Sequence, residues 1–206
     1  GNNSFVLYQA DMAKQIVQRR ELENELREAI KENQLFLVYQ PRFDIRAGCI
    51  NSVEALVRWL HPRHGLLMPD QFIPLAEESG IITDLTDWVL VNACQDIGRE
   101  FNHISVSVNI SPMEFKASDV IARIKNVLAT THFPAARLEL EVTENVTLCS
   151  PENAQIVMQE LKTLGIRLLI DDFGTGYASL YYLHSFPFHG IKIDKSFIFA
   201  MNDSES

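Results

Sequence analysis

The chain holds 206 residues, 47% of them hydrophobic and 22% charged, with a formal net charge of -9. This composition fits one buried core and one domain. It offers no apolar run of the roughly 18 residues a membrane span needs, and no clustered basic surface, so neither DNA nor RNA is an expected partner.

Residues 1–20 read as the remnant of an upstream domain and a linker helix, 21–200 as the main domain and 201–206 as a tail. Within this, residues 11–32 form one charged helical pattern with Met12, Ile16, Leu22, Leu26 and Ile30 at helical spacing. Such a helix either packs on the domain or relays a signal from upstream, and both readings stay open. Short apolar runs then predict strands at Phe36–Gln40, Val53–Arg58, Ile104–Ile110, Leu138–Thr143, Leu168–Asp171 and Ile191–Asp194. His61 and His64 flank a turn beside Gly65 and read as a surface loop. Helical patterns fill most gaps: Gln71–Glu78, Thr83–Arg99, Ser118–Thr131 with a Ser118/Asp119 cap, and Pro151–Leu164, which starts after Ser150 and ends at Gly165. Strands alternating with helices at this interval mark parallel βα units. Cys49, Cys94 and Cys149 are scattered without a CxxC pair, which predicts free thiols in a reducing cytoplasm.

Alternate side chains of a strand face opposite ways. In SVSVN, Val106 and Val108 oppose Ser105, Ser107 and Asn109; in LELEVT, Leu138, Leu140 and Val142 oppose Glu139, Glu141 and Thr143. Likewise Leu168 and Ile170 oppose Arg167, Leu169 and Asp171, Ile191 and Ile193 oppose Lys192 and Asp194, and Val53, Ala55 and Val57 oppose Glu54, Leu56 and Arg58. One face is apolar and needs a helix layer. The other carries polar groups near each C-terminal strand end. A TIM-type βα barrel satisfies both demands, with its site at the C-terminal rim. An open two-layer sheet is the fallback.

In such a barrel Glu54, Asn109, Glu141, Asp171, Lys192 and Asp194 converge on one mouth. An all-oxygen ligand set suits Mg²⁺ or Mn²⁺ better than Zn²⁺. Asp171 and Asp172 are adjacent acids whose repulsion two cations would offset, an arrangement suited to phosphodiester cleavage. Alternatively, Asp172 caps the Gly174-Thr175-Gly176 turn. Lower in the barrel, Glu139 and Arg167 are expected to form an ion pair.

The segments YQP (39–41), EAL within VEALVRW (53–59), FIPLAEESG (72–80), SVNIS (107–111), ELEVTE (139–144), DDFGTGYASL (171–180) and KIDKSFI (192–198) together resemble the EAL domain, over about residues 20–200. The resemblance implies a βα barrel whose first strand runs against the rest. It also implies hydrolysis of cyclic di-GMP to linear pGpG with Mg²⁺ or Mn²⁺, as two ions. Carried over by position, it makes Glu54, Asn109, Glu141 and Asp171 metal ligands, with Asp172 and Asp194 helping to hold the second ion. Lys192 would contact the nucleophilic water or the scissile phosphate, so that Lys192, Glu54, Asp171 and Asp172 form the catalytic group. Gln40 and Arg58 would grip the substrate. Glu144 would anchor the loop after Asp172; a helix-start acid before Pro151 is the plainer reading of that residue.

The resemblance also carries a departure. The family continues past KIDKSFI through further strands that bear a glutamate base, and the chain closes on FAMNDSES without it. Six predicted strands and a span short of the usual ~250-residue barrel lead us to expect an incomplete barrel from a longer parent, with hydrolysis by this chain slow or absent. NNSFVLYQADMAKQ resembles the end of a GGDEF domain, which makes an upstream GGDEF or sensor domain, and a homodimer, candidate partners. The rival functional reading is a non-catalytic cyclic di-GMP receptor.

Overall fold

The computed structural model describes residues 10–116, 119–146, 151–174 and 185–203. The reading of residues 1–9, Ser118, Cys149, Ser150 and Thr175–Gly176 lies outside them.

The sheet forms where the parity pattern placed it. Strands β1 (Leu35–Asp44), β2 (Cys49–His61), β4 (Ser105–Asn109), β5 (Leu138–Thr143), β6 (Arg167–Phe173) and β7 (Gly190–Ile193) lie side by side in that order, and short β3 (Gly65–Leu67) pairs with β2. β1 runs antiparallel to β2, whereas the β2–β4, β4–β5, β5–β6 and β6–β7 pairs are parallel. Among the described residues β7 does not pair back onto β1, so the barrel is incomplete. β1 extends past Pro41, where the predicted strand stopped. A proline removes a backbone donor, which an edge strand tolerates.

The helices are α1 (Ala10–Lys31), α2 (Pro69–Ser79), α3 (Ile82–Glu100), α4 (Val120–Thr131), α5 (Pro151–Thr163) and α6 (Lys195–Asp203), and α1 to α5 contribute buried residues to the core on the sheet's apolar face. On α3 the buried positions Ile82, Leu85, Val89, Ala93 and Ile97 recur at helical spacing. With Ile124 and Val127 of α4 and Val157 and Leu161 of α5 they form one buried core with Val106, Val108, Leu138, Leu140, Leu168 and Ile170. At the β7 end this cover stops: Ile191 and Ile193 are exposed, as are Phe197, Ile198 and Phe199 of α6. Asp119 stands at the N-cap of α4, but its side chain makes no capping hydrogen bond.

α1 docks on the domain, as the first of its two readings requires. Leu26 and Ala29 are fully buried. Arg27 donates to the Ser79 carbonyl at 3.3 Å, and Glu25 meets the His61 imidazole at 2.9 Å. His61 is therefore no surface-loop residue: it ends β2, is 3% exposed and stacks beside Trp59. Its Nδ1 accepts the Arg63 and His64 amides at 3.0 and 3.3 Å. These bonds fold the turn onto the ring, which is why a turn-like sequence buries a histidine. His64 itself is exposed.

Candidate metal centre

Strand pairing alone aligns most of the polar rim. Gln40 lies opposite Glu54, Glu54 beside Ser107, Asn109 beside Glu141, and Thr143 beside Asp171. Paired residues share a face, so the acids of three strands point to one centre. The Lys192 ammonium lies among them. It donates to Glu54 Oε2 at 2.9 Å, to Asp171 Oδ2 at 3.1 Å and, most closely, to Glu141 Oε2. The Asn109 amide donates to Glu54 Oε1 at 2.9 Å. One oxygen from each of Glu54, Glu141 and Asp171 lies within 4.8 Å of the others.

Burial makes this cluster electrostatically demanding. The Glu141 side chain is 0% exposed. Desolvation, then the charge of Glu54, pushes its carboxyl well above the usual carboxylate range, and the bond from Lys192 offsets part of that rise. Burial also pushes Glu54 upward, but bonds from Lys192 and Asn109 outweigh it and leave this carboxyl below its ordinary value. Burial works against the ammonium of Lys192, yet Glu141 and Glu54 more than compensate and hold it charged. Three carboxylates against one ammonium leave a net negative cup built only from oxygen donors and one amine. That donor set fits a hard divalent cation.

Around this centre the other candidate residues divide. Asp172 lies within the register shift of β6, between Ile170 and Phe173, and takes a left-handed backbone, φ 51°, unusual for a residue other than glycine. Its amide donates to Asp171 Oδ1 at 2.9 Å. Partial desolvation and the charges of Asp171 and Asp194 raise its carboxyl. Asp194 stands off the Lys192 cluster: its Oδ1 accepts the Ser196 amide at 2.9 Å, at the start of α6, and the Ser196 hydroxyl, then this amide, lower its carboxyl. Gln40 is exposed beside Glu54 in the register. Arg58 lies farther along the same face of β2, with its guanidinium on the Val57 carbonyl at 2.8 Å. Glu144 is buried and accepts the Gly174 amide.

Gly174 is the tight point of this loop. Its φ is 100°, and a Cβ there would stand 2.4 Å from the Phe197 ring. Gly174→Ala is therefore expected to destabilise the chain by on the order of 1–3 kcal/mol. An unchanged urea midpoint would contradict this packing.

Beneath the rim, the expected ion pair is present, with Arg167 Nη1 2.9 Å from Glu139 Oε1. A second cation, Arg42, reaches the same acid from β1 and was not foreseen. Extending the strand past Pro41 would have placed it on the face of Gln40. On the other flank, a cavity of about 380 Å³ opens beside Asn109, lined by Leu56, Ile73, Pro74, Leu85 and Val89, with Glu77 at its wall. Glu77 accepts the Ser111 hydroxyl at 2.6 Å, which ties α2 to the segment after Asn109.

A second cluster, Glu25, His61 and His64, also has metal-like spacing. Here the chemistry opposes a cation. Because His61 Nδ1 accepts two amides, its proton sits on Nε2 and points to Glu25. The ring has no lone pair left for a metal.

Comparison with known proteins identifies the family. The family model described as EAL domain matches residues 23–206. The cyclic di-GMP phosphodiesterase NbdA of Pseudomonas aeruginosa is 38% identical over 211 residues, covering 100% of this chain and 27% of that protein. The bifunctional diguanylate cyclase/cyclic di-GMP phosphodiesterase MucR of the same organism is 36% identical over 202 residues, covering 96% and 30%. The chain thus spans under a third of these curated relatives. The solved structure of the PaMucR phosphodiesterase in complex with c-di-GMP superposes with a TM-score of 0.82 at 36% identity, over 88% of this chain and 75% of that one.

Proposed function

Because this chain belongs to the EAL domain family, we propose that it forms the metal-binding part of a phosphodiesterase domain that hydrolyses cyclic di-GMP to linear pGpG. The carrying observation is the convergence of Glu54, Glu141 and Asp171 on one point, with Asn109 and Lys192 bonded to them. We assign Glu54, Asn109, Glu141 and Asp171 as ligands of Mg²⁺ or Mn²⁺, and Asp172 and Asp194 as the residues that would steady a second ion. Bound there, the ions would supply an activated water and neutralise charge on the phosphate.

The chain's own residues do the rest. Overall, water oxygen bonds to phosphorus, the bond from phosphorus to one ribose oxygen breaks, and a proton passes from the water to that leaving oxygen. Lys192 carries positive charge at the rim, where negative charge grows on the phosphoryl oxygens. Arg58 would bind a phosphate through charge-assisted hydrogen bonds, and Gln40 would hold the ligand beside Glu54. The apolar cavity next to Asn109 suits the face of a purine. Glu144, through the Gly174 amide, would fix the loop that carries Asp172.

We take residues 21–200 as the domain, with residues 1–20 linking to an upstream GGDEF or sensor domain, and a homodimer as its assembly. No described helix is long and apolar enough to cross a membrane, and Cys49 and Cys94 are free. A reducing cytoplasm suits the free thiols.

The test is incubation with cyclic di-GMP and Mg²⁺, following pGpG by chromatography. We expect turnover by a form extended by ~60 residues to the usual barrel length, and slower turnover by the 206-residue chain. Binding of cyclic di-GMP with no pGpG from either form would favour the receptor reading. Neither binding nor turnover would overturn both.

A further inference from the structure

The floor of the cup holds a residue that the hydrolysis reading does not use. Arg42 shares a face of β1 with Gln40, and its register partner is Ser52, two residues below Glu54. Two residues along a strand amount to about 7 Å, so Arg42 approaches the acids from beneath while Lys192 approaches from the rim. Its guanidinium has three partners. Nε donates to Ser52 Oγ at 3.0 Å, Nη2 pairs closely with Glu139 Oε2, and Nη1 lies 3.5 Å from Glu141 Oε1. The Arg42 side chain is 28% exposed, against 3% for Glu139 and 0% for Glu141.

The two oxygens of Glu141 are thereby divided. Oε2 faces Lys192, Glu54 and Asp171; Oε1 is turned to the floor, toward Arg42. A carboxylate held in this way offers one oxygen to a cation at the rim. Mg²⁺ and Mn²⁺ suit single carboxylate oxygens in an octahedral shell, whereas Ca²⁺ takes six to eight oxygens and readily accepts both from one carboxylate. We propose that Arg42 is a specificity-determining positioning residue: by tying Glu141 Oε1 it keeps the centre selective for small divalent cations over Ca²⁺. This rests on the assignment of Glu141 as a metal ligand.

The neighbouring Arg167 supplies the internal control. It pairs with Glu139 Oε1 at 2.9 Å and has no contact with Glu141. If Arg42 merely neutralises the buried acid Glu139, losing either arginine should have the same kind of effect. If it acts through Glu141 Oε1, only the loss of Arg42 should change which ion binds.

The experiment titrates Mn²⁺ and Ca²⁺ separately by calorimetry into the 206-residue chain, into Arg42→Met and into Arg167→Met, with thermal melting of each. A double variant, Arg42→Met with Glu139→Gln, removes the buried acid that Arg42→Met leaves with Arg167 as its remaining ion-pair partner, and keeps the comparison available should the single variant not fold. The expected result is a shift of about tenfold in the Ca²⁺-to-Mn²⁺ affinity ratio toward Ca²⁺ in Arg42→Met and in the double variant, the scale seen when a partner of a ligand is removed. Arg167→Met should keep the original ratio while melting earlier. An unchanged ratio in the Arg42 variants, with Mn²⁺ still bound, would reduce Arg42 to a neutraliser of Glu139 and overturn the proposal. An equal shift in Arg167→Met would overturn it too, because bulk charge would then explain the change. Failure of the unaltered chain to bind Mn²⁺ would instead overturn the metal reading, and this inference with it.

Discussion

Glu141→Gln is expected to lower Mn²⁺ affinity by more than ~100-fold, a larger loss than removing a supporting partner of a ligand usually brings, and to abolish the pGpG formation expected of the extended form. The same substitution leaves the metal-free chain at least as stable at neutral pH. Both results follow from one geometry. Glu141 is wholly buried in the middle of β5, where desolvation and the neighbouring Glu54 raise its carboxyl. A raised acid binds more protons folded than unfolded. Stability therefore falls as pH climbs from the ordinary carboxylate range through the raised value, and the cost persists above it. Glutamine keeps the shape and removes that cost, while Lys192 retains Glu54 and Asp171. Calorimetry with Mn²⁺ and melting without it check the two halves. Mn²⁺ affinity within threefold of the unaltered chain would contradict the ligand assignment.

Lys192→Met separates binding from chemistry. The ammonium bonds the same three carboxylates that would hold a cation, so it competes for their negative charge. Without it, Mn²⁺ binds several-fold more tightly or better, since a like charge a few ångströms away is gone. The hydrolysis proposed for the extended form is expected to fall by roughly 10²-fold or more, the scale of losing one group that stabilises transition-state charge. The metal-free variant should be less stable than the parent, because one wholly and two largely buried acids lose their counter-ion. Added Mn²⁺ recovers that stability by mass action. Melting curves with and without Mn²⁺ read all but the rate; a variant that binds Mn²⁺ less tightly than the parent would show the amine to be a support rather than a competitor.

Parity was the most legible part of the sequence. Val106 against Ser107 and Leu140 against Glu141 told which face each strand turns to the apolar core, and the register then delivered the acids to one rim. Short-range chemistry hid the rest. Gly65–Leu67 is too brief for any period to register, and only pairing with β2 makes it a strand. Pro41 looked like the end of β1 and concealed Arg42, because a proline stops central strands but not edge ones. The HPRH segment read as a solvent-facing turn, yet the His61 ring accepts the turn's own amides and points its Nε2 proton at α1. Asp194-Lys195-Ser196 carries a readable helix-cap signal, and Asp194 accepts the Ser196 amide as that signal implies. The Ile191 and Ile193 face was expected under helices and is exposed, since cover depends on long-range packing that local pattern does not encode.

The most direct measurement is anomalous diffraction from a crystal of the chain grown with Mn²⁺. The account predicts a manganese peak within coordination distance of Glu54, Asn109, Glu141 and Asp171, with the Lys192 amine moved off their oxygens. A peak at Glu25 and His61, or none at the rim while the four side chains remain gathered, would contradict it.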